Sequence, residues 1–224
     1  MRELPRYFVT GTDTGVGKTE VAAALLSLMA DAGLAPGALK PYESGCDDVE
    51  RPTDALALRA AARSEDALGT ISLHRFRAPL APGIAAERLG LSPSWSETLK
   101  AFRAYQGRAL VVEGAGGLLV PLDRRHQVID LVAATRLPVV LVARAGLGTL
   151  NHTGLSLLAL RERRIRVRAV VLVQSSASRD GSMRDNVRWL ERRDGVEVLG
   201  PVRFVPDAAE RRAAFRKQLR PLLG

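Results

Sequence analysis

The sequence predicts an α/β fold in which a mostly parallel sheet carries helices on both faces, and three observations point to it. Short apolar runs alternate with helix-length segments along the whole chain. The runs over residues 109–112, 138–143 and 167–173 are continuously apolar, as strands covered on both faces require. A turn rich in small residues, Gly11-Thr12-Asp13-Thr14-Gly15-Val16-Gly17-Lys18-Thr19, joins an apolar strand to a helix. Strand and helix in alternation, with right-handed crossovers, give a sheet between two helical layers. With 224 residues, 46% of them hydrophobic, the chain can bury one core, and residues 1–224 are expected to form a single domain.

The first strand is expected over residues 6–10. The loop after it leaves backbone N–H groups free to face phosphate oxygens, and a helix starting near Lys18 adds the positive end of its dipole. In this pattern Lys18 reaches the outer phosphates while the Thr19 hydroxyl sits on Mg²⁺. Strict spacing would put the first glycine at position 12, which is Thr12, with Gly11 one place early, so the loop is a variant. The helix is expected to run to residue 32, ended by Gly33. Residues 35–39 form a second short strand leading into Lys40-Pro41-Tyr42-Glu43-Ser44-Gly45, where Pro41 holds Lys40 extended. Lys40 and Ser44 are thus expected on a loop at a strand's C-terminal end, the edge where parallel sheets bind ligands.

A further helix opens after Thr53, with Asp54 in its first turn, where a carboxylate compensates the helix dipole. Residues 70–76 read as a strand. Ser94-Trp95-Ser96-Glu97 has capping-box spacing and opens a helix to about residue 105, Trp95 serving in packing. The strand over 109–112 ends in Glu113-Gly114-Ala115-Gly116-Gly117. A carboxylate at the end of a buried strand, with small residues after it, can hold Mg²⁺ directly or through water. A helix over 127–136 and a strand over 138–143 follow. Next, Arg144-Ala145-Gly146-Leu147-Gly148-Thr149-Leu150-Asn151-His152 turns into a helix reaching residue 162, a second N-terminus open to an anion. A strand over 167–173, a helix over 181–193, a strand over 196–199 and an arginine-rich helix over 207–222 complete the chain.

The net charge is +9, yet the basic residues are spread over the whole length and aromatic residues make up only 4%, so a nucleic-acid surface is not expected. Of 33 basic residues only Lys18, Lys40, Lys100 and Lys217 are lysine. In so arginine-biased a chain, the few lysines are candidates for positions where a compact ammonium is required, and two of the four, Lys18 and Lys40, fall in the motifs picked out on other grounds. Cys46 is the single cysteine, which excludes an intrachain disulfide and a thiolate zinc cluster. The histidines His74, His126 and His152 lack metal-ligand spacing. No stretch of about 18 apolar residues occurs, and Glu3 and Pro5 stand where a signal peptide needs an apolar core. The expectation is a cytoplasmic protein with no membrane partner.

Several stretches together resemble dethiobiotin synthetase, the biotin-pathway ligase of the P-loop NTPase class. They are Tyr7-Phe8-Val9-Thr10-Gly11-Thr12-Asp13-Thr14 with Val16-Gly17-Lys18-Thr19, Lys40-Pro41 with Ser44-Gly45, Asp54-Ala55-Leu56, Glu113-Gly114-Ala115-Gly116-Gly117, and Leu147-Gly148 with Asn151-His152. The early Gly11 belongs to that family's pattern. The resemblance implies a P-loop NTPase fold and ATP-dependent closure of a ureido ring. CO₂ or bicarbonate is captured on an amine of 7,8-diaminopelargonate as a carbamate, the γ-phosphate activates it, and the second amine displaces phosphate. It implies Lys18 and Lys40 as catalytic, and Thr19, Asp54 and Glu113 as Mg²⁺ ligands. Nucleotide contacts fall on Thr14, Gly15, Val16, Gly17, Lys18, Thr19, Glu20, Asp54, Glu113, Gly114, Ala115 and Gly116, and on Gln174, Arg203, Phe204 and Val205. Substrate contacts fall on Thr14, Lys40, Ser44 and Gly117, and on Leu147, Gly148, Thr149 and Asn151. The last four match the place where one subunit of a homodimer receives the substrate carboxylate of the other.

Two departures stand out. No asparagine occurs near Val173-Gln174-Ser175, where the family ends a strand with one that reads adenine, so use of other nucleoside triphosphates is expected to be open. Gly83 stands where the family's Pro-His-X-Ala-Ala stretch has histidine. The rival reading is a partitioning or scaffold ATPase, a switch with no small-molecule substrate. Those proteins carry a lysine at the position of Asp13, opposite in charge. A cobyrinate-type amidating enzyme would need a glutaminase part with a nucleophilic cysteine, and the chain has only Cys46.

Overall fold

The computed structural model describes residues 4–177 and 180–223. A six-stranded sheet is built from β1 (Arg6–Gly11), β2 (Gly37–Leu39), β5 (Leu110–Gly117), β6 (Val139–Arg144), β7 (Val167–Val173) and β8 (Val198–Val202), in the order β2-β5-β1-β6-β7-β8. Every pairing in it is parallel. The order explains the continuous apolar runs. In β5, Leu110 and Val112 enter one core cluster and Val111 the other, and in β1 Phe8 and Val9 divide in the same way. One cluster is closed by α1 (Lys18–Asp31), α2 (Thr53–Ala62) and α9 (Ala208–Leu219), through Val21, Leu25, Met29, Leu58, Phe215 and Leu219. The other is closed by α6 (Val128–Thr135), α7 (Thr149–Glu162) and α8 (Met183–Asp194), through Ile129, Val132, Leu157 and Leu190.

The helices begin where local chemistry starts them. Ser94 Oγ accepts the N–H of Glu97 at the head of α5 (Trp95–Arg103), as the capping spacing predicts. Asp207 accepts from Ala209 and Glu210 at the head of α9. That helix stops at Leu219, and the chain continues as a 3₁₀ turn over Arg220–Leu222 that contains Pro221.

Four segments differ from expectation. Residues 42–44, expected as loop, form β3 (Tyr42–Ser44), a three-residue strand paired in parallel with β4 (His74–Phe76). The strand expected over 70–76 is accordingly shorter, its first half being a single turn, α3 (Leu68–Ile71). β5 continues through Glu113 to Gly117, because Val9 and Gly11 of β1 still offer it partners there. Residues 82–88, unassigned in the sequence, form α4 (Pro82–Arg88), with Pro82 in the first turn where its missing N–H costs nothing. Smaller offsets occur at the edges: β2 starts after Ala35, whose φ of 43° is not extended, and β8 covers Val198–Val202.

The small β3–β4 sheet is tied to α5. The Tyr42 hydroxyl lies 3.1 Å and His74 Nε2 3.3 Å from Thr98 Oγ1, and the Tyr42 and His74 rings are 4.8 Å apart. Burial holds the His74 pKa below its ordinary 6.5, against the weaker opposite pull of Ser94, Glu97 and Asp123. As pH falls through 6.5 the unfolded chain takes up a proton at this position and the folded chain does not. Stability therefore declines on acidification, by at most about 1.4 kcal/mol per pH unit from this group, until the folded pKa is passed. Urea midpoints measured from pH 7.5 to 5.5, markers chosen to bracket the roughly 6.5 histidine window, are expected to fall in the unsubstituted chain and to fall less in His74→Gln.

Candidate active site

The strand ends bring together what the sequence keeps far apart. Gly11 faces Val16 and Lys18 so closely that a Cβ there would lie 2.8 Å from Val16 Cγ2 and 3.1 Å from Lys18 Cδ. The early glycine is therefore a packing requirement, which lets the loop fold back over the strand end. Gly17, with φ of 98°, caps α1, and no side chain takes the cap position, so the first-turn N–H groups face the loop. Lys18 is buried and donates to the Asp13 carbonyl at 2.8 Å. Burial, aided by the nearby charge of Lys40, lowers its pKa to about 8 against the pull of Glu113, Asp54 and Asp13.

Beside this loop sits a cluster of opposite charges. The pairing of Leu39 with Val112 brings Lys40 out next to Glu113. Lys40 Nζ lies 2.6 Å from Glu113 Oε1 and 2.7 Å from Asp54 Oδ2, and the Thr19 hydroxyl donates to Glu113 Oε1 at 2.9 Å. Glu113 is completely buried and Lys40 nearly so. Burial acts to lower the Lys40 pKa, but the two carboxylates outweigh it and the net shift is upward. Burial pushes the Glu113 carboxyl up, with Asp54 adding to the effect and Lys40 opposing it. Glu113 Oε2 is buried with no hydrogen-bond partner among the described residues. An orphaned carboxylate oxygen needs a donor or a cation. Two carboxylates and a hydroxyl are a hard-oxygen donor set that fits Mg²⁺, an ion that draws its other ligands from water and phosphate.

Asp54 owes its place to a residue that the sequence reading did not single out. The buried carboxylate of Glu43, on β3, accepts the N–H groups of Asp54 at 2.8 Å and Ala55 at 3.1 Å, so it caps α2 from outside the helix. Burial raises the Glu43 pKa. Its only mark in the sequence is an acid inside Tyr42-Glu43-Ser44, a stretch that becomes a strand only through pairing with residues 74–76.

A cavity of about 520 Å³ gathers Thr14, Gly15, Gly17, Lys18, Thr19, Glu20, Lys40, Ser44, Asp54, Glu113, Ala115 and Gly116, with Pro79 to Pro82 forming the opposite wall. Val16 is not on this wall but in the core, and Gly114 lies beneath it against Phe8 and Val128. Gly117 lines a second cavity of about 500 Å³ with Asp13, Thr14, Leu119, His152 and Leu155. The turn before α7 stands apart from the first cavity. There Leu147 is 90% exposed, Gly148 is the N-cap residue, and the buried Thr149 hydroxyl is 3.1 Å from that of Thr153. Asn151 is exposed on the first turn of the same helix. At the other end of the sheet, Gln174 Oε1 accepts the Phe204 N–H at 3.4 Å, so Gln174 and the Arg203, Phe204 and Val205 segment adjoin one another. Asp13 forms an ion pair with Arg144 at 2.7 Å. Gly83 donates to the Pro121 carbonyl at 2.8 Å, and a Cβ there would be 3.1 Å from the same oxygen, so the 121–123 segment occupies the room a side chain would take.

A model of a family described as an AAA domain matches residues 5–212. A protein of Anaeromyxobacter sp. (strain Fw109-5) named ATP-dependent dethiobiotin synthetase BioD is 44% identical over 95% of this chain and 96% of its own. A protein of the same name from Bacillus subtilis (strain 168) is 33% identical over 87% of this chain and 85% of its own. Among solved structures, the cell division ATPase MinD of Pyrococcus furiosus covers 97% of this chain and 91% of its own with a TM-score of 0.56 at 15% identity, a likeness of fold.

Glu43→Ala leaves two N–H groups of α2 without their acceptor, a loss of about 1–3 kcal/mol. Urea denaturation of the variant is expected to read a loss in that range, while Glu43→Asp, which keeps a carboxylate on a shorter stem, recovers part of it.

Proposed function

The chain belongs to the ATP-dependent dethiobiotin synthetase family, and from that membership we propose how its own residues carry the reaction. It is an ATP-dependent ligase that closes the ureido ring of dethiobiotin on 7,8-diaminopelargonate. The observation that carries the proposed roles is the meeting of Lys40, Glu113, Asp54 and Thr19 beside Lys18 on one cavity wall. Lys18 and the loop amides of Gly15 to Thr19 bind the outer phosphates, and Glu20, Ala115 and Gly116 border the nucleotide, with Gly114 packed behind them. Thr19, Asp54 and Glu113 would hold Mg²⁺, which would supply neutralisation of the phosphate charge.

Lys40 is the cation nearest the point of transfer. An amine of the substrate bonds to CO₂ and loses a proton, giving a carbamate. A carbamate oxygen then takes the γ-phosphoryl group from ATP, and the second amine displaces phosphate from the carbonyl carbon, leaving the ring, ADP and phosphate. The Lys40 ammonium and Lys18 are positioned to offset the negative charge that gathers on the phosphoryl oxygens. Lys40 carries its proton firmly, so its work is electrostatic. Ser44, Thr14 and Gly117 orient the substrate.

Among the described residues, the basic side chains lining the cavity are Lys18 and Lys40, both assigned to phosphate, and the turn carrying Leu147, Gly148, Thr149 and Asn151 is not part of its lining. A homodimer, in which that helix N-terminus serves the other subunit's substrate, reconciles the two. The exposed side chains of Leu119, Leu147, Leu155 and Leu158 support a second copy as the covering partner. The chain is taken as one domain. No helix of the described residues is long and apolar enough to cross a membrane, and a cytoplasmic location is proposed.

Protein supplied with ATP, Mg²⁺ and bicarbonate is expected to convert diaminopelargonate to dethiobiotin, read by mass spectrometry. ATP hydrolysis without a ureido product would overturn the assignment. Lys40→Ala is expected to lower kcat by about 100-fold or more, as loss of one charge-stabilising group does. Because it also strips the counter-ion from a buried carboxylate, the variant's melting temperature falls as well, and near-normal turnover would remove Lys40 from the mechanism.

A further inference from the structure

Lys40 and Glu113, which follow β2 and lie on β5, stand on one side of β1, and β7 and β8 stand on the other. On the nucleotide-binding reading given above, the terminal phosphate meets Lys40 and the base end of the nucleotide lies toward β7 and β8. At the ends of those strands stands the loop from Arg203 to Asp207 that joins β8 to α9. One guanidinium anchors this loop to the phosphate-binding helix. Arg211, on the first turns of α9, donates through Nη1 to the carbonyls of Val205 and Pro206, each at 3.2 Å, and through Nε to Glu20 Oε1 at 3.1 Å. Glu20 follows Thr19 directly on α1. From the β7 side, Gln174 accepts the Phe204 N–H, so the loop is held from two directions.

This arrangement differs from an ordinary surface ion pair, whose worth is about 0–1 kcal/mol. The planar fork of arginine joins a carboxylate on one element to two main-chain carbonyls on another, a geometry that a lysine ammonium on a flexible stem does not reproduce. Nor is Arg211 needed to keep α9 in place. Phe215 and Leu219 are buried in the core, and Arg216 independently bonds Ser27 and Asp31 of α1.

We propose that Arg211 is a positioning residue for the nucleotide: it sets the Arg203–Asp207 loop at a fixed distance from the phosphate loop, so that base and phosphates are bound in register, and thereby sets discrimination among bases. The proposal rests on the nucleotide-binding reading given above. Arg211 reaches the phosphate loop only through Glu20, so its removal is expected to act more on the base end than on the phosphates.

The test is calorimetric binding of Mg²⁺ complexes of ATP, GTP, CTP and inorganic tripolyphosphate, which has no base or ribose, to the unsubstituted chain, Arg211→Ala, Arg211→Lys and the control Arg216→Ala. Arg211→Ala is expected to weaken ATP binding by about tenfold, as loss of a charge-assisted hydrogen bond does. It is also expected to narrow the preference among the three nucleotides while leaving tripolyphosphate within about twofold, below what one neutral hydrogen bond contributes. In turnover, KM for ATP rises and kcat at saturating ATP stays. Arg211→Lys recovers little, and Arg216→Ala lowers the melting temperature without moving the ATP-to-tripolyphosphate ratio. Equal losses for ATP and tripolyphosphate, or unchanged ATP binding, would overturn the role of Arg211. An unsubstituted chain that binds ATP with these effects but forms no ureido product would overturn the activity and leave the role of Arg211 supported.

Discussion

A single ammonium between two carboxylates organises this site. Lys40 lies within 2.7 Å of Glu113 and Asp54, and Glu113 has no exposure at all. A buried carboxylate without a counter-charge is strongly destabilising, so β5, β2 and α2 are obliged to meet at one point. The rest of the arrangement follows from that obligation. Glu43 seats the head of α2 so that Asp54 reaches the lysine, and the parallel register of β2 on β5 brings Lys40 alongside Glu113. A cluster held together in this way is both a structural knot and an electrostatic surface, so stability and turnover are coupled at Lys40.

The phosphate loop shows how a departure from a consensus can have a steric cause. Moving the first glycine from position 12 to Gly11 looks like an insertion when spacing alone is considered. In the fold, Gly11 is where Val16 and Lys18 close over the end of β1, and a side chain there would collide with both. A comparable constraint occurs at Gly83, where the 121–123 segment occupies the space a side chain would take.

Much of this was legible in the chain. Continuous apolar runs announced doubly covered strands, and the loop, Lys40, Asp54 and Glu113 were each marked by residue type beside a strand end or a helix start. The parts that were not legible are those whose identity is tertiary. Residues 42–44 are too short to show a period of two and become a strand only by pairing with residues 74–76, the part of the expected 70–76 strand that forms. Glu43 could not be read as a helix cap, because its partners lie 11 and 12 residues away on an element it does not belong to. Arg211 was one arginine among many, and its meaning lies in a contact 191 residues distant in sequence.

The scarcity of lysine has a practical side. Lys18 and Lys40 are buried in the cavity, while Lys100 and Lys217 are exposed on the surface. Burial lowers the Lys18 pKa to about 8, whereas the two carboxylates beside Lys40 raise its pKa, so the two buried ammonium groups differ in how firmly they hold their protons. Negative phosphate charge seated on the loop would raise the Lys18 pKa again, so nucleotide binding and the protonation of Lys18 are linked. The arginines that dominate the surface leave Lys100 and Lys217 as the exposed lysines, so amine-directed labelling of lysine side chains falls on two known positions.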